Sequence, residues 1–298
     1  MSVTVRVPAK VNVQLAVGAA RPDGFHDLAN VFLAVGLYDE ITVTPADELR
    51  VTCEGQDVGQ VPLDRTNLAA RAAEALAARY GRTPNVHLHI VKDIPVAGGM
   101  AGGSADGAGA LLACDALWGT NASRDELLDI CAELGSDVPF SLVGGAALGT
   151  GRGEKLTALE VGGTFHWVFA MAERGLSTPA VFREFDRLGE GLDIPEPVAS
   201  RELLDALAKG DPDALAAAVS NDLQPAALSL FPELADTLAA GRAAGALTAL
   251  VSGSGPTTAF PARDRESASK VAEALLASGT CRTVRQASGP APGATVLI

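Results

Sequence analysis

Between residues 93 and 119 the chain reads DIPVAGGMAGGSADGAGALLACDALWG, and no other segment narrows its possible folds as much. A strand-like run, NVHLHIV, precedes it, with Val86, Leu88 and Ile90 on one face. A helical run then continues to Gly119, a natural stop. A glycine-dense turn from strand to helix leaves backbone N–H groups uncovered at the positive end of the helix dipole, a geometry that receives phosphate oxygens. Gly98, Gly99, Gly102 and Gly103 are placed to donate, with Ser104 at or near the helix N-cap. The stretch has no Walker-type lysine and no GxGxxG spacing, so the two commonest nucleotide motifs do not apply. With 32 glycines in 298 residues, a plain tight connection also fits.

The remaining pattern sets the architecture. Residues 3 to 17 alternate as a strand does (Val3, Val5, Val7, then Val11, Val13, Leu15), and β-like sequence runs to about residue 54. A helix is predicted over 67–80, stopped by Gly81. Another begins at Ser123, with Glu126 spaced for a capping box, and ends at Gly135. Past residue 160 the pattern restarts with strand HWVFAM, a helix over 179–188, a Pro-rich link and helices to about 244. Strands LTALVS and TTAF, a helix over 264–278 and strand CRTVRQ complete an order close to a ferredoxin-like unit. A chain of this length is long for one core, so the expectation is an α+β protein of two domains, 1–160 and 161–298, sharing a cleft. The closing SGPAPGATVLI is expected to be a loosely held terminus.

Charge and cysteine usage restrict the partners. A formal net charge of -13, with no acidic tail, repels polyanions, so nucleic acid is excluded as a partner; a small anion remains compatible with a locally positive cleft. Cys53, Cys114, Cys131 and Cys281 form no CxxC pair and read as reduced, buried thiols. Arg6 and Lys10 interrupt the apolar N-terminal pattern, which does not suit a signal peptide. No apolar run of about 18 residues is present, so no membrane partner is predicted and the cytoplasm is the expected location. Oligomeric state is left open.

Several polar residues stand where their setting needs a reason. Lys10 and Asn12 in VPAKVNVQL project from one face of an otherwise apolar strand. Asp137 in GSDVPF starts a helix and is a possible partner for that lysine. The same residues also fit an edge-strand charge and an ordinary N-cap. VSGSGPTTAF, at 251–260, fits a hairpin between two apolar strands. His87 and His89 share a strand face, and with no acidic or thiol partner nearby they read as solvent-facing positions rather than metal ligands.

Together these segments resemble the GHMP kinases, the family of galactokinase, homoserine kinase, mevalonate kinase and phosphomevalonate kinase. The glycine stretch from Pro95 to Ala105 is similar to the family's second motif and VSGSGPTTAF to its third. PAKVN, DGFH and GSDVPF resemble the more specific signatures of members acting on a cytidine diphosphate compound. The resemblance covers residue 8 to about 260, with a divergent stretch at 185–245.

That resemblance implies an N-terminal domain like ribosomal protein S5 domain 2 and a ferredoxin-like C-terminal domain, with the active site between them. The implied activity is ATP-dependent phosphorylation of a hydroxyl on a methylerythritol unit bearing a cytidine diphosphate group, in the non-mevalonate route to isoprenoid precursors. Alternatives within the same fold are a kinase for another small alcohol such as homoserine, or a non-catalytic nucleotide-binding relative. By position, Asp137 is the catalytic carboxylate, Lys10 its cationic partner and Asn12 a substrate-binding neighbour. Phe25 and Phe182 would sandwich the pyrimidine while His26 reads its polar edge. The ATP phosphates would lie on Pro95, Val96, Ala97, Gly98, Gly99, Met100, Ala101, Gly102, Gly103, Ser104 and Ala105. Phe25 stands where tyrosine is common, and Met100-Ala101 where Gly-Leu is usual. Mg2+ is expected with ATP, its protein ligands left open.

Overall fold

The structure, a computed structural model, describes residues 2–96 and 98–297. The first part of the chain runs β1 (Val3–Ala20), β2 (His26–Pro45), β3 (Arg50–Gly55), α1 (Leu68–Arg79), β4 (Val86–Lys92), α2 (Gly102–Trp118), α3 (Arg124–Leu134), α4 (Val138–Val143), β5 (Ala146–Thr150) and β6 (Lys155–Ala158). The second runs β7 (Phe165–Met171), α5 (Thr178–Leu188), α6 (Arg201–Lys209), α7 (Pro212–Ala218), β8 (Ser220–Asn221), α8 (Gln224–Leu230), α9 (Leu234–Ala243), β9 (Leu250–Val251), β10 (Thr258–Ala262), α10 (Arg265–Ser278), β11 (Thr283–Gly289) and β12 (Thr295–Leu297).

Among the described residues there are two sheets. The larger has the order β12-β1-β2-β4-β3, with β5 joining β2, β6 joining β5 and β8 joining β1. The smaller is antiparallel, in the order β11-β7-β10-β9, which is the ferredoxin-like arrangement expected from the sequence.

Helix α2 crosses the larger sheet at close range because its buried face is made of glycine and alanine. A Cβ at Gly109 would lie 2.5 Å from Ile41 Cδ1 and 2.8 Å from Val7 Cγ2, so any larger residue there pushes the helix off the sheet. The sequence-read caps hold at α1, where Asn67 accepts from Ala69 N–H, and at α3, where Ser123 and Glu126 form a capping box. At α2 the N-cap position is instead Ala101, in a left-handed conformation (φ 61°), and Ser104 sits inside the first turn. The four cysteines are free; Cys114 and Cys131 are buried as expected, Cys53 and Cys281 only half-buried because each lies near the edge of its packed layer, and burial pushes the Cys131 thiol up to about 12.

The tail, expected to be loose, is held in the larger sheet. β12 pairs with Thr4–Arg6 of β1, Gly144 bridges to Pro292, and Ala291 is buried. Sequence pattern missed this strand because a three-residue element without alternation is set by its partner edge, not by its own composition.

The outer edge of β1 is covered piecewise by distant segments. After β12, Lys10 N–H donates to Met100 O at 3.3 Å, β8 pairs in parallel with Gln14 and Leu15, and Val17 N–H donates to Asp222 Oδ2 at 2.9 Å. Gln14 adds bonds to Val198 O and Ser200 N–H, both 2.8 Å. The divergent 185–245 region therefore stitches the two halves together along the strand that carries Lys10.

Candidate active site

A cavity of about 660 Å3 opens between the two halves. It is lined by Lys10 and Asn12 from β1, Phe25 from the β1–β2 turn, His26 at the start of β2, the glycine loop, Asp137, and Phe182 of α5. These residues lie far apart in the chain and were singled out separately.

Register irregularities between Pro8 and Ala9 and between Asn12 and Gln14 bracket the short segment of β1 that presents Lys10 and Asn12. Lys10 is only 4% exposed, so it is not a solvated edge charge. Its Nζ donates to Asn12 Oδ1 at 2.6 Å and to Gly99 O at 3.1 Å, and lies 3.4 Å from Asp137 Oδ2. A lysine has three donors and no acceptor, so the short contact orients Asn12 with its oxygen toward Lys10. The Asn12 amide nitrogen then donates to Asn30 Oδ1 at 2.7 Å. Asn12, expected as a substrate contact, thus spends its oxygen and one N–H on positioning the lysine.

Asp137 occupies the N-cap position of α4, yet its side chain caps no backbone group. Its carboxylate is about one-third exposed to the cavity and turned toward Lys10. α4 is anchored behind it by Phe140, stacked on Phe32 of β2 at 4.8 Å.

The glycine loop and the β9–β10 turn pack against each other beside this pair. Gly99 adopts φ 72°, and a Cβ there would sit 2.2 Å from Ser252 O. Ser252 Oγ donates to Gly99 O at 3.2 Å, so this oxygen serves both Ser252 and Lys10. Gly253, at φ 57°, leaves room for Asn12 Oδ1, only 3.0 Å from where a Cβ would be. VSGSGPTTAF is therefore both the hairpin its composition suggested and a wall of the site.

The eleven-residue stretch assigned to phosphate does not act as one surface. Gly98, Gly99, Ala101, Gly102, Gly103 and Ser104 line the main cavity. Pro95 and Val96 face a separate small cavity of about 80 Å3, while Met100 and Ala105 are buried in the core. Their alternation was not visible as a period because the loop has no regular conformation. Ala97 lies outside the described residues.

Under the loop lies a buried ion cluster that sequence reading missed. Lys92 Nζ bonds Asp39 Oδ2 and lies 2.9 Å from Asp106 Oδ2; Asp39 Oδ1 accepts from Asp93 and Ile94 N–H at 2.7 and 2.9 Å. Asp106 Oδ1 has no partner among the described residues. Burial, opposed by Lys92 and reinforced by Asp39, pushes the Asp106 carboxyl up to about 8. Gly102 lies directly above, its would-be Cβ 3.1 Å from Lys92 Nζ.

On the opposite wall, His26 is buried and its ring lies 5.0 Å from that of Phe182. Phe25 is 49% exposed, and the Arg152 guanidinium lies 5.1 Å from its ring centre. Arg152, Asn30 and Asp186 were not picked out from the sequence. Asp186 carried a readable signal, since it is four residues after Phe182 and shares its helix face.

No group of three His, Cys, Asp or Glu residues able to hold a metal occurs among the described residues. His87 and His89 are half-buried and share Thr52 Oγ1, at 2.7 and 2.9 Å. No described helix is long and apolar enough to cross a membrane.

Comparison with known proteins places this geometry. The family model for the GHMP kinases N terminal domain matches residues 67–145, and that for GHMP kinases C terminal matches 203–280. The chain is 84% identical over 297 residues to the 4-diphosphocytidyl-2-C-methyl-D-erythritol kinase of Streptomyces avermitilis and 85% identical over 298 residues to that of Streptomyces coelicolor, covering 100% of each chain in both pairs. A crystal structure of 4-(cytidine 5'-diphospho)-2C-methyl-D-erythritol kinase superimposes with a TM-score of 0.77 at 33% identity, covering 95% of this chain and 98% of that one. The fold, the glycine loop and the matches to both halves agree: the chain belongs to the GHMP kinase family.

Proposed function

We propose that this protein is an ATP-dependent kinase that phosphorylates the 2-hydroxyl of 4-diphosphocytidyl-2-C-methyl-D-erythritol. The observation that carries the reading is the order of groups around one cavity: a bare phosphate loop, the Lys10–Asp137 pair, and an aromatic and imidazole wall. A phosphoryl donor and a pyrimidine-bearing acceptor then meet at the charged pair. The full-length identity to kinases named for that substrate supports the same choice.

In this reading Asp137 accepts the proton of the attacking hydroxyl. Lys10, held by Asn12 and Gly99 O, stabilises negative charge on the group in transfer. Backbone N–H groups at the start of α2 bind the phosphates, and Gly103 leaves their approach open, since a Cβ there would meet only Leu68 Cδ1 at 3.8 Å. Phe25 and Phe182 offer faces to the base.

ATP fits this loop. Bound Mg2+ would neutralise phosphate charge; with no carboxylate cage among the described residues, its ligands would come from the phosphates and water, with Ser104 offering a side-chain oxygen on the cavity.

The test is ATP consumption by the purified protein with 4-diphosphocytidyl-2-C-methyl-D-erythritol, homoserine or mevalonate, with Asp137→Asn as the blank. Turnover confined to the cytidyl compound and to the intact protein supports the proposal. Turnover with another alcohol keeps the kinase and rejects the substrate; no turnover with any acceptor rejects both.

A further inference from the structure

His26 presents two ring nitrogens, and the structure commits one of them. Its Nε2 lies 2.8 Å from Asp186 Oδ1 on α5, and the imidazole is buried against Phe182 and the edge of Phe185. An ionised carboxylate only accepts hydrogen bonds, so Nε2 carries the proton in this pair. In a neutral imidazole the other nitrogen is then an acceptor. Nδ1 is the nitrogen left for a ligand in the cavity that His26 lines.

We propose that Asp186 is a positioning residue that fixes the tautomer of His26 and thereby selects cytosine over uracil in the acceptor substrate. This rests on the reading of the Phe25, His26 and Phe182 wall as the pyrimidine site. Cytosine carries an amino group at C4, a donor that an Nδ1 lone pair accepts. Uracil carries a carbonyl oxygen at the same place, and two lone pairs face each other. The stacking rings accept either base equally, because both present a similar π-face, so stacking contributes affinity without choice. Discrimination between the two pyrimidines therefore falls on the imidazole, and on the carboxylate that sets its proton.

The placement of Asp186 supports this role. It sits one turn beyond Phe182 on α5, so the element that supplies a stacking ring also supplies the group that sets the imidazole. Its carboxylate is partly exposed while the imidazole is buried, so the acid reaches the ring from the solvent side of the wall. A ligand bound through one ring nitrogen and oriented through the other is the same logic by which metal-bound histidines are held.

The experiment compares kcat/KM for the cytidyl substrate and its uridyl analogue in the unaltered protein, Asp186→Asn, Asp186→Glu, Asp186→Ala and His26→Ala, above the ordinary titration range of an imidazole. An asparagine both donates and accepts, so it holds either tautomer. Asp186→Asn should lower the cytidyl-to-uridyl ratio by about tenfold, through KM rather than kcat. Asp186→Glu should restore much of that ratio. Nitrogen-15 NMR of the labelled histidines should show His26 protonated at Nε2 in the unaltered protein and a tautomer mixture in Asp186→Asn. If the ratio and the tautomer stay unchanged in Asp186→Asn and Asp186→Ala while His26→Ala collapses the ratio, the proposal is overturned and the pyrimidine site stands. If His26→Ala also leaves the ratio unchanged, the site reading itself fails.

Discussion

Lys10 Nζ lies 3.4 Å from Asp137 Oδ2, across 127 positions of sequence, and the lysine is held there by two further acceptors, Asn12 Oδ1 and Gly99 O. The ammonium is therefore positioned before any substrate arrives. Removing the carboxylate charge should slow the chemical step while leaving binding almost intact. Asp137→Asn is expected to reduce kcat by about a thousandfold, with both KM values within about threefold. Steady-state kinetics checks this, and a variant retaining a tenth of the turnover would show that Asp137 is not the base.

Two glycines of α2 separate ligand approach from packing. Gly103→Val places its side chain toward the cavity and should raise the KM for ATP by about tenfold or more without lowering Tm. Gly109→Ala drives a methyl into Ile41 and Val7 and should cost about 1–3 kcal/mol of stability while the KM for ATP stays unchanged in the folded protein. Thermal melts beside ATP titrations distinguish the two outcomes.

The Asp106 carboxyl is pushed up to about 8 by burial, so across the window from the ordinary carboxylate range to that value the folded chain binds a proton that the unfolded chain has released. Stability from this group is therefore largest at the acid end of the window and declines as pH rises through it. Asp106→Asn, which retains an acceptor for Lys92 without the charge, should flatten that decline. Melting curves from about pH 5 to pH 9 test it; parallel profiles would show that Asp106 titrates as an ordinary acid.

Phe25 projects half-exposed into the cavity, with the Arg152 guanidinium against its ring. Phe25→Ala should raise the KM for the cytidyl substrate by about tenfold or more through loss of stacking, with the KM for ATP unchanged. An equal rise in both values would place the ring outside the acceptor site.

The parts of this molecule readable in its sequence are those governed by local rules. The capping box at Ser123, the glycine stop at Gly119 and the alternation of β1 each depend on neighbours a few residues away. Lys10, Asn12 and Asp137 stood out because polar groups in apolar settings require partners, although the sequence alone did not show that Asn12 serves Lys10. What stayed hidden depends on tertiary placement. Nothing local marks Lys92, which follows the run NVHLHIV, and only the approach of α2 brings it together with Asp39 and Asp106. Ser104 gave way as N-cap to Ala101 because the loop turns left-handed three residues earlier. Spacing puts Asp186 on the helix face of Phe182, but its bond to His26 exists only because α5 meets the start of β2.

The pairing of β12 with β1 has a consequence for how the protein is made. Strand β1 receives edge partners from residues 220–221 and 295–297, which are synthesised long after it. A nascent chain thus carries an open β edge, a site for wrong pairing with other chains, until those residues have been made. A chain cut before residue 295 would keep every residue assigned to chemistry, yet leave the Thr4–Arg6 edge of β1 without its partner.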